Sequence, residues 1–491
     1  MTSDFDVFVT ADEAWPAFER AVLNAERSVR AGFRIFDMRT ALRSPEARAM
    51  GKTWFHLLAH KLGQGLRFSL VVSDFDPVMA PGLHAMALRT LRQGAALAET
   101  AEAGPDQLRV HAHMHPARVG HLPWLAFLPT VVARRKKTLR RMNRARVKRE
   151  AFGLASVVLP PLHPATHHQK LAVIDDTLLY IGGLDLNERR YDTPEHDRPA
   201  KDTWSDCQVL IRGPQAKAAS AHLDTFEAAC AGQIAPPPCP GLKRTLSTPR
   251  RLQLPFVSPQ TRLSEIEAAH VTAFQKAQHL IYIETQFLRS SVVAGALAEA
   301  GARKAGLSVI VILPNLPEEL AFEGATGLDI RFGLARRRDA IATVVEAFGP
   351  RACFASPVQP YLDARETAAT LAGSPVIHVH NKVLITDAAY GLIGSANLNG
   401  RSMRWDTEVA LELTTPAHLA CARARLLQHW WHEPLPETAT DPAQMYPWWS
   451  REITRNGLVL PENRRGFLVP FDARKDANLA QPLPGVTEDI V

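Results

Sequence analysis

An internal repeat constrains this chain more than any other feature. Residues 168–189 (HQKLAVIDDTLLYIGGLDLNER) align without a gap on residues 380–401 (HNKVLITDAAYGLIGSANLNGR), keeping His, Lys, Asp, Ile, Gly, Leu, Asn and Arg in register. Eight identities in twenty-two positions, with apolar residues facing apolar ones at most of the others, exceed what shared composition produces. In a chain of 491 residues such a duplication points to two related lobes carrying equivalent sites.

A stretch with seven prolines at 234–260 divides the chain nearly in half and reads as a long connection. The expected organisation is a first lobe over 1–233, this connection, and a second lobe over 261–491. In the first lobe, residues 66–73 and 208–212 read as strands, and 11–29 and 215–229 as helices. In the second, 280–284, 307–313 and 408–413 read as strands, and 263–277, 292–305 and 417–431 as helices. Alternation of this kind predicts α/β layers in both halves.

Hydrophobic residues make up 46% of the chain and charged residues 22%, which excludes disordered, collagenous and coiled-coil classes. No window approaches the ~18 consecutive apolar residues of a membrane span. The first residues lack the basic start and apolar core of a signal peptide, and five scattered cysteines suit a reducing compartment. A cytoplasmic protein that visits membranes is the expectation, with export without a cleaved signal left open. The formal charge of +7 is local: residues 134–149 hold ten basic side chains and no acid, and without them the balance is −3.

Both copies of the repeat carry His-x-Lys-x4-Asp. Side chains two apart on a strand share a face, so His168 and Lys170 project together, as do His380 and Lys382. An imidazole beside an ammonium handles phosphate: the lysine neutralises an oxygen, and the histidine attacks phosphorus or moves a proton. Asp175 and Asp387 stand where a strand ends, a position that also suits service to the backbone. Gly182-Gly183 and Gly394-Ser395 permit close backbone approach, and Asp185, Asn187, Asn397 and Asn399 follow near the same rim.

This pattern resembles the phospholipase D superfamily, whose signature is two such motifs. The second copy, through Gly394-Ser395-Ala396-Asn397 to Asp406-Thr407-Glu408, matches it closely. The run Tyr191-Asp192-Thr193-Pro194-Glu195-His196 resembles the eukaryotic-like branch more than the cardiolipin synthases or short nucleases. Residues 281–287 (IYIETQF) are similar to that branch's Ile-Tyr-Ile-Glu-Asn-Gln-Tyr segment and depart from it at Thr285 and Phe287. Residues 429–435 (HWWHEPL) faintly resemble its C-terminal Trp-Arg-Glu-His-Leu stretch.

The resemblance implies a pseudo-twofold α/β fold with mixed sheets flanked by helices, the site at the lobe interface, and two-step displacement at phosphorus without a metal or other cofactor. His168, Lys170, Asp175, His380, Lys382 and Asp387 would form the catalytic set, with His168 the nucleophile and His380 the acid and then the base. Asn187, Asn397 and Ser395 would join the lysines around the phosphate. A carboxylate behind each imidazole would fix its tautomer; spacing assigns Asp206 to His168 and Glu408 to His380. The activity implied is hydrolysis of glycerophospholipids, such as phosphatidylcholine, to phosphatidic acid and free alcohol, with transfer to other alcohols as a side reaction. Phosphatidyl transfer as in cardiolipin synthesis, nucleic-acid phosphodiester cleavage and non-catalytic membrane binding are the alternatives.

Two further segments carry expectations. His111, His113 and His115 alternate and could offer three imidazoles to a metal, but no Asp, Glu or Cys cluster nearby completes a site. They are expected to meet solvent, phosphate or backbone instead. The insertion over 122–149 joins an apolar stretch containing Trp124 and Phe127 to basic residues including Arg134, Arg135, Lys136, Lys137, Arg140 and Arg141. An aromatic anchor beside a cationic helix suits the surface of an anionic phospholipid membrane.

Overall fold

The computed structural model describes residues 4–141, 160–483 and 486–490, and the duplication is visible as two matching sheets. The first contains β1 (Phe5–Val9), β2 (Ser28–Phe33), β3 (Arg67–Ser73), β4 (Leu108–His113), β5 (Leu171–Ile174), β6 (Leu178–Gly182) and β7 (Cys207–Arg212), ordered β1-β7-β6-β5-β2-β3-β4. β2, β3 and β4 are parallel neighbours, and the other pairs are antiparallel.

In the second lobe come β8 (Leu242–Thr248), β9 (Gln260–Ser264), β10 (Leu280–Thr285), β11 (Ser308–Ile312), β12 (Ala352–Pro357), a small hairpin of β13 (Thr370–Leu371) and β14 (Ser374–Pro375), β15 (Lys382–Thr386), β16 (Tyr390–Gly394), β17 (Glu408–Leu413) and β18 (Leu468–Pro470). The large sheet runs β18-β12-β11-β10-β15-β16-β17-β8-β9. Its segment β12-β11-β10-β15-β16-β17-β8 repeats β4-β3-β2-β5-β6-β7-β1 strand for strand, with β9 and β18 added at the edges. The fold is therefore the expected α/β pair of pseudo-twofold lobes.

The central strands are apolar along their length because both faces are covered. Leu171, Val173, Leu179 and Ile181 of the first sheet share one buried core with Val383, Ile385, Ile393 and Leu411 of the second. The opposite face of each sheet packs on its own lobe's helices. The two lobes thus meet sheet against sheet, and the repeated motifs emerge at one end of the seam.

Three sequence readings need correction. The helix expected over 11–29 spans Thr10–Leu23, and β2 already begins at Ser28. The helix expected from 263 begins at Glu265, because residues up to Ser264 complete β9. The Pro-rich connection contains β8, which pairs with both β17 and β9. Prolines on both sides disguised it, as did Arg244, a buried cation whose backbone and guanidinium N–H groups donate to Glu265 Oε2 at 3.0 and 3.2 Å.

Candidate active site

At the seam each motif is held by backbone from the opposite lobe. His168 N donates to Thr407 O at 2.8 Å and Thr407 N to Thr166 O at 2.9 Å. In the symmetric arrangement His380 N donates to Ser205 O and Ser205 N to His378 O, both at 2.8 Å. These bridges fix which carboxylate reaches which imidazole. His380 Nδ1 lies 2.5 Å from Asp206 Oδ2, and His168 Nδ1 lies 3.0 Å from Glu408 Oε1. The pairing assigned from spacing is therefore reversed: Asp206 serves His380 and Glu408 serves His168. Each carboxylate follows the residue that bridges to the other lobe's motif, so the contact crosses the seam.

The half-sites differ in detail. Ser395 Oγ donates to Glu408 Oε2, which steadies the longer carboxylate. The equivalent Gly183 has no hydroxyl and no room for one, since a Cβ there would stand 2.0 Å from Asp206 Oδ1. Trp204 lies against His380 at a tilt of 36° with ring centroids 4.6 Å apart, and Arg190 lies over the indole at 3.6 Å. Trp204 is held from behind, because its backbone N–H donates to Asp192 Oδ2 at 2.6 Å. Asp192 also pairs with His196 Nδ1, and His196 Nε2 lies 3.1 Å from His429 Nε2. The two runs singled out in the sequence, at 191–196 and 429–435, thus meet in one buried strut behind Asp206.

Lys170 Nζ donates to His168 O at 2.6 Å, and Lys382 Nζ donates to His380 O. Both ammonium groups are buried beside the imidazoles. Burial lowers the affinity of Lys170 for its proton and pushes Lys382 down to about 7. Burial, reinforced by the adjacent lysines, holds both His168 and His380 well below the usual imidazole value. Burial also raises Asp206 to about 7. Burial raises Glu408 as well, to about 8, so each imidazole faces a carboxylate of raised proton affinity.

A cleft of about 430 Å³ opens over His168. Arg34, Arg289, Arg401 and Asn397 bring donors to it, and Phe75, Met79, Leu83 and Phe287 give it an apolar wall. Asn397 is 5% exposed, and its Oδ1 has no protein partner. Of the phosphate-handling residues expected, Asn397 reaches the cleft, and Ser395 acts one step back through Glu408. Asn187 is absent from the cleft lining: its Oδ1 accepts from Arg189 N at 3.0 Å and caps the turn Glu188–Arg190. The repeat explains this, because the counterpart of Asn397 is Asp185, whose carboxylate accepts from Ile35 N at 2.9 Å and lies 4.0 Å from Arg34. Arg401 recurs in the repeat opposite Arg189 and could have been read from it; Arg34 and Arg289 had no local signal.

Asp175 and Asp387, expected in the catalytic set, are engaged by backbone and do not line the cleft. Asp175 accepts from the backbone N–H groups of Glu26, Arg27 and Ser28 at 2.8 Å each. Asp387 does the same for Gln278, His279 and Leu280 at 2.7–2.9 Å. Both have φ of 53°, the left-handed backbone of the turn after the strand. Asp175→Ala is expected to leave three backbone donors without their acceptor at once. It should cost about 1–3 kcal/mol and lower the melting temperature by several degrees, while the folded fraction keeps its specific activity. Equal melting with a collapse of activity would contradict this placement.

Of the three alternating histidines, His111 and His113 at the end of β4 are partly exposed, and His115 beyond it meets backbone, with Ala117 N donating to its Nδ1 at 3.2 Å; each also meets a side chain. His111 Nε2 pairs with Glu227 Oε1 at 2.6 Å, His113 Nδ1 lies 2.8 Å from His167 Nε2, and His115 Nε2 lies 3.3 Å from Ser247 Oγ. The insertion forms a helix, His121–Arg141, against the cleft wall: Val131 packs with Val78 and Leu162, and Arg134 donates to Met79 O at 3.2 Å. Two expected membrane contacts are engaged by the protein instead. Trp124 is half-buried and donates to Pro160 O at 3.1 Å, and Arg135 is buried. Phe127, Lys136, Lys137 and Arg140 are exposed, together with Leu122, Leu125 and Val132. Nothing is described of the Arg141 side chain, and residues 142–149 of the basic segment lie outside the described residues. No helix among the described residues is long and apolar enough to cross a membrane.

Comparison with known proteins places this geometry. Residues 271–430 match the family described as "Cardiolipin synthase, PLD-like domain". Phospholipase D1 of Schizosaccharomyces pombe is 26% identical over 348 residues, covering 50% of this chain and 24% of that protein. Phospholipase D alpha 1 of Oryza sativa is 23% identical over 376 residues, covering 52% of this chain and 46% of the relative. The matched part therefore spans less than half of either relative. Phosphatidylserine synthase of Haemophilus influenzae shares the fold, with a TM-score of 0.51 over 87% of this chain and 85% of that one at 12% identity.

Proposed function

We propose, from the chain's membership of the phospholipase D superfamily, that it hydrolyses glycerophospholipids such as phosphatidylcholine to phosphatidic acid and a free alcohol. The observation that carries this reading is the pair of crossed His–carboxylate couples, one lining a cleft that joins cationic donors to an apolar wall. Glu408 receives the Nδ1–H of His168 and leaves Nε2 to attack phosphorus. As the N–P bond forms, the bond from phosphorus to the headgroup oxygen breaks, and that oxygen takes the Nε2 proton of His380. His380 then removes a proton from water; the water oxygen bonds to phosphorus and the N–P bond breaks, restoring His168. Lys170, Lys382 and Asn397 lie around the non-bridging oxygens, whose charge persists through both transition states.

Phosphatidyl transfer is the second reading, favoured by the cardiolipin-synthase description of the matched family. An alcohol in place of water in the second step would give it with the same residues. The assay is purified protein with phosphatidylcholine vesicles, with and without phosphatidylglycerol, following free choline, phosphatidic acid and cardiolipin. Choline and phosphatidic acid released together support hydrolysis. Cardiolipin formed with release of the donor's headgroup, choline or glycerol, and without phosphatidic acid would replace it by transfer, and cleavage of single-stranded DNA alone would sink the lipid reading.

We further infer that the helix His121–Arg141 brings the cleft to an anionic phospholipid surface, as a peripheral contact. Its exposed Leu122, Leu125 and Phe127 lie on the same helix as Lys136, Lys137 and Arg140, beside the cleft wall. Each cation near such a surface contributes about 1 kcal/mol. Replacing Lys136, Lys137 and Arg140 with Gln should therefore weaken binding to vesicles containing phosphatidylglycerol about 100-fold. Turnover of a monomeric short-chain lipid should be unchanged. Equal binding of the triple variant and the parent would remove this contact.

A further inference from the structure

His113, at the end of β4, and His115, just beyond it, are not used by the chemistry above, yet they converge on the backbone that carries Glu408. His113 Nδ1 lies 2.8 Å from His167 Nε2, and His167 Nδ1 lies 2.8 Å from Thr407 Oγ1. His167 immediately precedes His168, and Thr407 immediately precedes Glu408. One buried imidazole therefore ties the two residues flanking the nucleophile couple, across the lobe seam. His115 braces the same segment from a second side, through Ser247 Oγ, which donates to Trp405 O.

The pseudo-twofold shows why this half-site needs the brace. The counterpart of His167 is Val379, and the counterpart of Asp406 is Trp204. The second half-site has the shorter carboxylate, a 2.5 Å contact and an indole packed against its imidazole. The first has a longer carboxylate at 3.0 Å, and no ring contact is recorded for His168 among the described residues. His167 is 2% exposed, and burial holds it well below the usual imidazole value, so it stays neutral. A neutral ring has one donor and one acceptor nitrogen, and both are matched here by groups able to take either role.

We propose that His167, held in place by His113, is a positioning residue that aligns the His168–Glu408 couple for attack on phosphorus. This rests on the reading of His168 as the nucleophile. Loss of the brace would let Thr407 and Glu408 shift, and misplacement on the ångström scale costs about 100-fold in rate. It would act on the covalent step and leave substrate binding in the cleft untouched.

The test uses three variants of the full chain. His167→Leu removes both contacts. His167→Asn keeps an amide near the Nδ1 position and can still bond Thr407. His113→Leu removes only the outer support. The first readout needs no substrate: the ring-proton signal of His168 Nδ1–H in histidine-labelled protein. It should broaden or shift in His167→Leu and return in His167→Asn. The second is turnover of a soluble phosphodiester, for which His167→Leu should lose about 100-fold in kcat at unchanged KM. His167→Asn should recover most of that loss, and His113→Leu should fall between. An unchanged His168 signal in His167→Leu, or equal kcat values for Leu and Asn, would overturn the proposal. If the parent protein turns over no phosphodiester, the catalytic reading fails and the ring-proton signal alone decides whether the brace exists. Should His167→Leu not fold, His113→Leu with the same readouts takes its place.

Discussion

His168→Ala is expected to leave no covalent adduct and to lose about 10⁴-fold or more in kcat, because removing a nucleophile deletes the path rather than slowing one step of it. His380→Ala should behave differently. With a phosphatidyl ester of p-nitrophenol the leaving group departs as a stable phenolate and needs no proton. The first step then proceeds, nitrophenol is released in one equivalent per protein, and the adduct persists because no base activates water. With a natural headgroup both steps slow, by about 10²–10⁴-fold. The proposed roles follow position: His168 lines the cleft, whereas His380 lies beside Trp204 and against Asp206. Acid-quenched intact mass with a stopped-flow nitrophenol trace decides it. A stable adduct in His168→Ala that is absent in His380→Ala would reverse the assignment.

What the sequence revealed follows from the range over which each interaction acts. The strands β5 and β15 and the His-x-Lys placement are local, and a repeat at fixed offset made them legible twice. The order of strands in each sheet was not legible, because it rests on pairings between segments far apart in the chain. The carboxylate partners were not legible, because Asp206 and Glu408 lie 38 and 28 residues beyond His168 and His380 and reach the other lobe's histidine. Spacing along the chain favours the same-lobe partner; only the bridges His167 to Thr407 and Ser205 to Val379 reveal the exchange. Asn187 was misjudged for a related reason. It matches Asn399 in the repeat, and both are helix caps, so the repeat itself held the correction. Asp175 and Asp387 show that a motif can be invariant between lobes for the sake of the backbone. β8 escaped notice because a strand bounded by prolines and carrying a buried arginine breaks every local pattern, and its partner β17 lies more than 150 residues away.

The crossed pairing leads to the second large effect. Asp206→Asn keeps the size of the side chain but presents His380 Nδ1 with an amide that can donate, which favours the wrong tautomer and removes the carboxylate that accepts the Nδ1 proton. Loss of tautomer control of this kind costs about 10⁴-fold in a serine protease triad, and a fall in kcat of about 10³-fold or more is expected here with a natural headgroup. The leaving group again separates the steps. For the p-nitrophenyl ester, Asp206→Asn should form adduct at the parent rate and then stall. Glu408→Gln should slow adduct formation with either leaving group, because Glu408 orients the attacking imidazole. Ser395, which also donates to Glu408, should soften that second loss relative to the first. Coupling follows the same geometry: once His380 is alanine, Asp206→Asn should add little, whereas in a Glu408→Gln background its full penalty should remain. If Asp206→Asn instead slows the p-nitrophenyl burst and Glu408→Gln spares it, each carboxylate serves the histidine of its own lobe in solution, and the crossing is not what operates during turnover.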